Sequence, residues 1–191
     1  LEAARKAVAL DPENVRALQA LMLTNFLNQN VAAGKAAGEA GLQLNPNDME
    51  FVGEYGTRLA LAGDLERGEE MIRRAMAFNP SNANYYRIIL AVTAYLRHDL
   101  EAAQEYIDVV ELRNDGIGLL CAAAIYAEAG RMEDAKRIRE QFLSLGTNQM
   151  ANLDLELGKR NLRFEDRRYL LQGFKKAGLP VPDAVSKKYG V

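Results

Sequence analysis

Residues 49–82 read MEFVGEYGTRLALAGDLERGEEMIRRAMAFNPSN. Val52, Tyr55, Gly56 and Leu59 recur at intervals of three and four, which places them on one face of a helix. Ala62-Gly63-Asp64 interrupts that helix: glycine takes the left-handed conformation of a helix C-terminus, and the Asp64 carboxylate is positioned to cap a following one. The second helix presents Ile72, Ala75, Met76 and Phe78 until Asn79-Pro80 stops it, because proline disfavours helix in the residue before it. Gly56 and Ala75 are expected at a tight crossing of the two helices.

The same phrasing extends in both directions. Pro12, Pro46 and Pro80 stand 34 residues apart and close Ala-Leu-Asp-Pro, Gln-Leu-Asn-Pro and Ala-Phe-Asn-Pro. A fixed period of this size with a closing proline marks a stacked array of helix-turn-helix units. The units run 15–48, 49–82, 83–115 and 116–147, preceded by a half unit at 1–13 and followed at 148–191 by a degenerate closing helix pair and tail. In the third unit His98-Asp99-Leu100-Glu101-Ala102-Ala103 repeats the turn phrase, with a register open by one residue, and Asn114 replaces the terminal proline. The fourth unit repeats it as Ala129-Gly130-Arg131-Met132-Glu133-Asp134-Ala135, with Tyr126 on the preceding helix; Ala103 and Ala135 are expected at crossings like that of Ala75.

Gly56, Gly63, Asp64, Ala75 and Pro80 together resemble the tetratricopeptide repeat, with Gly68 standing where alanine is usual. The resemblance covers residues 1–147 and implies an all-α, right-handed superhelix of about five helix pairs. Three departures are informative. Leu1 to Leu10 reads as a second helix whose first helix lies upstream, so Ala4, Ala7 and Val8 are expected to seek a partner, such as a second copy of the chain. Gly34, Gly38 and Gly41 fall on one second helix. They read either as a close approach filled by Met22 and Phe26 or as a soft unit that lets the array flex. At the end, Ala151–Lys159 and Phe164–Ala177 form the closing pair, with Gly178-Leu179-Pro180-Val181-Pro182 as a hard stop. The run Leu170–Pro180 also resembles the end of repeat modules that follow nucleotide cyclase or winged-helix domains in bacterial signalling proteins. It departs from them at Phe174, Lys175 and Val181.

Composition narrows the functional classes. The chain starts at Leu1 and is read as part of a longer protein. Net charge is −2, so no overall field draws nucleic acid or anionic membrane. Residues 1–149 carry 15 Lys+Arg against 21 Asp+Glu, and residues 150–191 carry 9 against 5. The basic tail reads first as the solvated outer face of an end unit and second as a phosphate or lipid contact. No apolar run approaches the roughly 18 residues that span a bilayer. Cys121 is the only cysteine and His98 the only histidine, which removes internal disulfides and Cys/His zinc clusters and fits a cytoplasmic setting. Cys121 lies in an apolar run as a small hydrophobe, and His98 lies at a turn. No active site, metal or cofactor is expected.

The family resemblance implies instead a concave groove lined by the first helix of each unit. Its contact positions fall on Arg16, Gln19, Leu23, Phe26 and Leu27 in the first unit and on Glu50, Gly53, Thr57, Ala60 and Leu61 in the second. In the third they fall on Asn84, Arg87, Ala91, Ala94 and Tyr95, and in the fourth on Ile117, Leu120, Ala124, Ala127 and Glu128. Of these, Arg16, Gln19, Leu23, Phe26, Leu27, Thr57, Arg87, Tyr95 and Leu120 are the candidate partner-binding residues. Phe26 and Tyr95 read equally well as plugs of the superhelix. The lysine and asparagine of the family's carboxylate clamp are absent, so the expected ligand is a helix or extended segment of a protein or peptide. Three roles follow as expectations: the regulatory part of a bacterial signalling protein, an independent adaptor or assembly factor, and nucleic-acid binding through the basic tail, which lacks interleaved aromatics.

Overall fold

The computed structural model of the protein describes residues 1–113 and 115–191; Asn114, the expected substitute for the third closing proline, lies outside them. Among the described residues there are α-helices and no strands. In chain order the first eight helices are α1 (Glu2–Leu10), α2 (Val15–Leu27), α3 (Val31–Leu44), α4 (Met49–Leu61), α5 (Leu65–Phe78), α6 (Ala83–Leu96), α7 (Leu100–Asp108) and α8 (Gly116–Glu128). They are followed by α9 (Met132–Ser144), α10 (Leu153–Lys159), α11 (Phe164–Lys176) and α12 (Asp183–Tyr189). Pro80 opens a short 3-10 turn, Pro80–Asn82. The first helices of the hairpins thus begin at Val15, Met49, Ala83 and Gly116.

Each turn within a hairpin contains one left-handed residue: Gln29 (φ 59°), Gly63 (φ 94°), His98 (φ 61°) and Gly130 (φ 75°). Glycine takes this conformation at no steric cost, whereas Gln29 and His98 are held there by the hairpins they join. His98 rather than Arg97 occupies the position, which fixes the register that the sequence left open. Helix starts are capped by side chains: Asn14, Asn30, Asp48, Asp99 and Asp115 accept from Ala17, Ala33, Phe51, Ala102 and Gly118 backbone N–H groups. Asp64 does not cap α5 as expected; its carboxylate faces Lys35 Nζ at 3.6 Å instead.

The chain forms two compact units, residues 1–86 with 158–162, and residues 87–157 with 163–191. In the first unit α1 packs on α2, burying Ala4 and half-burying Ala7 and Val8. The hairpins α2–α3 and α4–α5 supply most of the packing. The glycines of α3 are sites of close approach. A Cβ on Gly34 would lie 2.7 Å from the Phe26 ring, and Cβ atoms on Gly38 and Gly41 would run into Tyr55 and Phe51. Phe26 therefore fills the space expected of it, while Tyr55 and Phe51 of α4 take the part expected of Met22. Between α4 and α5, a Cβ on Gly56 would sit 2.7 Å from Met71 Cβ and 2.9 Å from the Gly68 carbonyl. Leu59, Ile72 and Ala75 are fully buried at this crossing; each large side chain contributes roughly 1.5–3 kcal/mol. Phe78 is 74% exposed rather than in this face, because it is the last residue of α5.

In the second unit α8 and α9 form the main hairpin and α7 lies beside α8. Ala103 and Ala135 are fully buried, as the turn phrases imply. From Gly116 to Ala127, every residue of α8 except Ile117 is buried. A helix apolar all round needs cover on more than one side. α9 supplies one cover and α11 another, with Gly173 close against Ala124 and with Leu170, Leu171 and Phe174 of α11 buried. The stop after α11 holds, but the chain resumes as α12, a helix missing from the sequence expectation. Its Tyr189 stacks on Phe164 at 4.9 Å and donates to Asp154 at 2.7 Å.

Candidate interaction surface

The first helices carry the residues assigned to partner binding, and the structure places them in two kinds of environment. In the first unit Arg16 is exposed and reaches Asp48 (3.1 Å), Glu50 (3.3 Å) and the Gln19 side chain (2.5 Å). Arg16 and Gln19 thus tie the start of α2 to the start of α4. Leu27 is exposed and Leu23 half-buried. Phe26 is fully buried against Gly34, and its backbone carbonyl accepts from Asn161 Nδ2 at 2.9 Å. The same carbonyl also accepts from the Gln29 backbone N–H at 2.9 Å. Thr57 is buried, its hydroxyl donating to the Gly53 carbonyl at 3.0 Å. A Cβ on Gly53 would collide with the Tyr86 hydroxyl. The accessible part of this unit's candidate set is therefore Arg16, Leu23 and Leu27; Phe26 is a core plug.

In the second unit Arg87 is half-buried, and Tyr95 and Leu120 are buried. α11 lies over this surface. The Tyr169 ring stacks on Tyr95 (4.5 Å between centroids, 20° between planes) and also meets His98 at 4.3 Å. Gly173 lies where a Cβ would collide with the Tyr95 hydroxyl and come 2.8 Å from Ala124 Cβ. Lys176 Nζ reaches Glu128 at 3.1 Å. The Tyr95 hydroxyl is buried with no hydrogen bond of good geometry, although the Tyr169 phenol is near enough to perturb it; burial above all raises the Tyr95 pKa. Sequence reasoning placed Tyr95, Ala124 and Glu128 on this surface but missed its occupant. The signal was present in α8: an apolar run from Leu119 to Ala127 has no solvent face of its own.

Two electrostatic clusters repeat one chemistry. In the first unit Tyr55 donates to Glu39 at 2.6 Å, and Arg67 holds both Glu39 oxygens at 2.7 and 2.8 Å. The bond from Arg67 is the main reason that Glu39 is held below the usual carboxylate range. In the second unit Tyr126 donates to Asp108 at 2.9 Å, and Arg131 reaches both Asp108 oxygens at 2.8 Å while lying over the Tyr126 ring. Burial first, then the Asp108 bond, pushes Tyr126 up to about 12. Each cluster joins a first-helix tyrosine to neighbouring hairpin elements.

Cys121 is buried in α8. Among the described residues no three His, Cys, Asp or Glu side chains converge as metal ligands, and no helix is long and apolar enough to cross a membrane. No family model, curated protein or solved structure matches this chain.

Proposed function

We propose that the chain is a tetratricopeptide-type scaffold, a right-handed superhelix whose first helices receive a helical or extended segment of a partner protein. The recurrence of helix starts, left-handed turn residues and small-residue crossings supports the repeat. One observation carries the binding role: side chains assigned to ligand contact, Tyr95, Ala124 and Glu128, already hold a helix, α11, against them. The resemblance of Leu170–Pro180 to bacterial signalling modules favours a regulatory part in a cytoplasmic signalling protein over an independent adaptor.

Selection of peptides from a displayed library on the full chain tests this role, with bound segments located by hydrogen exchange. Selected peptides should protect first helices, and Leu27→Lys or Arg87→Glu should weaken capture at least tenfold with melting unchanged. Protection confined to α3, α5, α7 and α9 would overturn the role.

A further inference from the structure

Tyr169, Gly173 and Lys176 are spaced i, i+4 and i+7, so they form a single stripe on α11. Each member has its own counterpart: the Tyr95 ring, the space over Ala124, and the Glu128 carboxylate. The stripe therefore reads α6 and α8 as a short code of aromatic, small residue and cation. The seat is imperfect. The Tyr95 hydroxyl is buried against Gly173 without a well-formed hydrogen bond, and the Lys176–Glu128 pair is part-exposed. Both ends of α11 are bounded by left-handed residues, Asn161 (φ 60°) before and Gly178 (φ 74°) after. Because α8 is apolar on all sides, the surface beneath α11 is poorly suited to water, and exchange of one helix for another disturbs it less than opening does.

We propose that α11 is a resident internal ligand of the α6 and α8 surface, and that the partner taken there is a helix carrying the same stripe, which enters as α11 leaves. This rests on the interaction role proposed above and adds the partner's chemistry: an aromatic residue, a glycine four residues later, and Lys or Arg three residues beyond. The occupant's apolar face supplies the cover that α11 gives up. Its small residue allows the close approach that any larger side chain would prevent.

The probe is a fluorescent peptide of residues 163–179, titrated into the full chain and read by anisotropy. In Gly173→Leu the added side chain collides with Tyr95 and Ala124, so the chain's own α11 is expelled. The variant should then bind the peptide at least tenfold more tightly than the unaltered chain. A peptide carrying the same Gly173→Leu change should not bind either protein. Native hydrogen exchange of the unaltered chain supplies a reading that needs no variant: α11 amides should open at least tenfold more often than α8 amides. Equal protection of α11 and α8, refusal of the peptide by the variant, or wholesale loss of its helical signal would each overturn the proposal and make α11 a permanent part of the core. The interaction role is judged separately, by whether library-selected peptides protect first helices. It survives those results if they do, and falls if they do not, even where α11 exchanges.

Discussion

α4 and α8 are both first helices of hairpins, but they meet water differently. α4 keeps Glu54 and Arg58 partly exposed as an ion pair along one side, and its apolar residues face α3 and α5. α8 has no charged residue before Glu128 and is buried from Gly116 to Ala127 with the exception of Ile117. A helix with a polar stripe is completed by its neighbours in sequence. A helix without one requires cover from further away, and α11 provides it across an interval that no repeat period specifies. The two units nonetheless share a local device. Tyr55–Glu39–Arg67 and Tyr126–Asp108–Arg131 both tie a first-helix phenol to a carboxylate shared with an arginine.

The sharpest way to break this contrast is to remove the distant cover. Phe174 is 1% exposed, and Phe174→Ala should destabilise the second unit by about 3–5 kcal/mol through the cavity it leaves. Denaturant melts combined with hydrogen exchange should locate the loss in α8 and α11. An effect below about 1 kcal/mol would mean that α8 does not depend on α11.

A smaller loss is expected inside the self-sufficient hairpin. Gly56→Leu meets Met71 and the Gly68 backbone, and overpacking of this kind costs about 1–3 kcal/mol. The denaturation midpoint should fall while α8 protection stays unchanged. An unaltered midpoint would contradict the α4–α5 crossing.

Titration compares the paired clusters. Tyr126 is raised in the folded state, so its contribution is fully present below the ordinary tyrosine value of 10.0 and is lost as pH rises towards about 12. The loss is on the order of 2 kcal/mol, and Tyr126→Phe should flatten it. Glu39 has the opposite sign. Its folded pKa is depressed below 4.5, so its contribution is present above that value and is lost as pH falls. Glu39→Gln should remove that acid-side slope, measured by melting at a series of pH values.

The smallest effect concerns the hairpin turns. Gln29→Gly relieves a left-handed glutamine, a strain of roughly 1–2 kcal/mol partly offset by the unfolded-chain entropy that glycine adds, and should raise stability by about 0.5–1 kcal/mol. His98→Gly should gain less, because it also removes the ring that rests on Tyr169. Equal gains in the two melts would make the His98–Tyr169 contact energetically silent.

Helices and turns were legible because their causes are local: proline stops, Asx caps, and apolar spacing of three and four. Gly34, Gly38 and Gly41 announced a close approach, since three glycines in one helix need a reason. Which rings would fill it was not legible, because Phe51 and Tyr55 come from the next hairpin. The groove assignments had the same boundary. They placed Tyr95, Ala124 and Glu128 on first helices, but whether those side chains meet solvent depended on α11.

The sequence by itself determined an all-helical chain, the hairpin starts at Val15, Met49, Ala83 and Gly116, and the small residues where helices cross. Each follows from interactions within one or two turns of helix or between adjacent helices. Only the tertiary structure decided that Phe26, Thr57, Tyr95 and Leu120 are buried, that Asn161 donates to the Phe26 carbonyl, and that α11 rests on α8. Those are contacts between segments far apart in the chain, selected by the shape and polarity of surfaces that exist only after the local hairpins have formed.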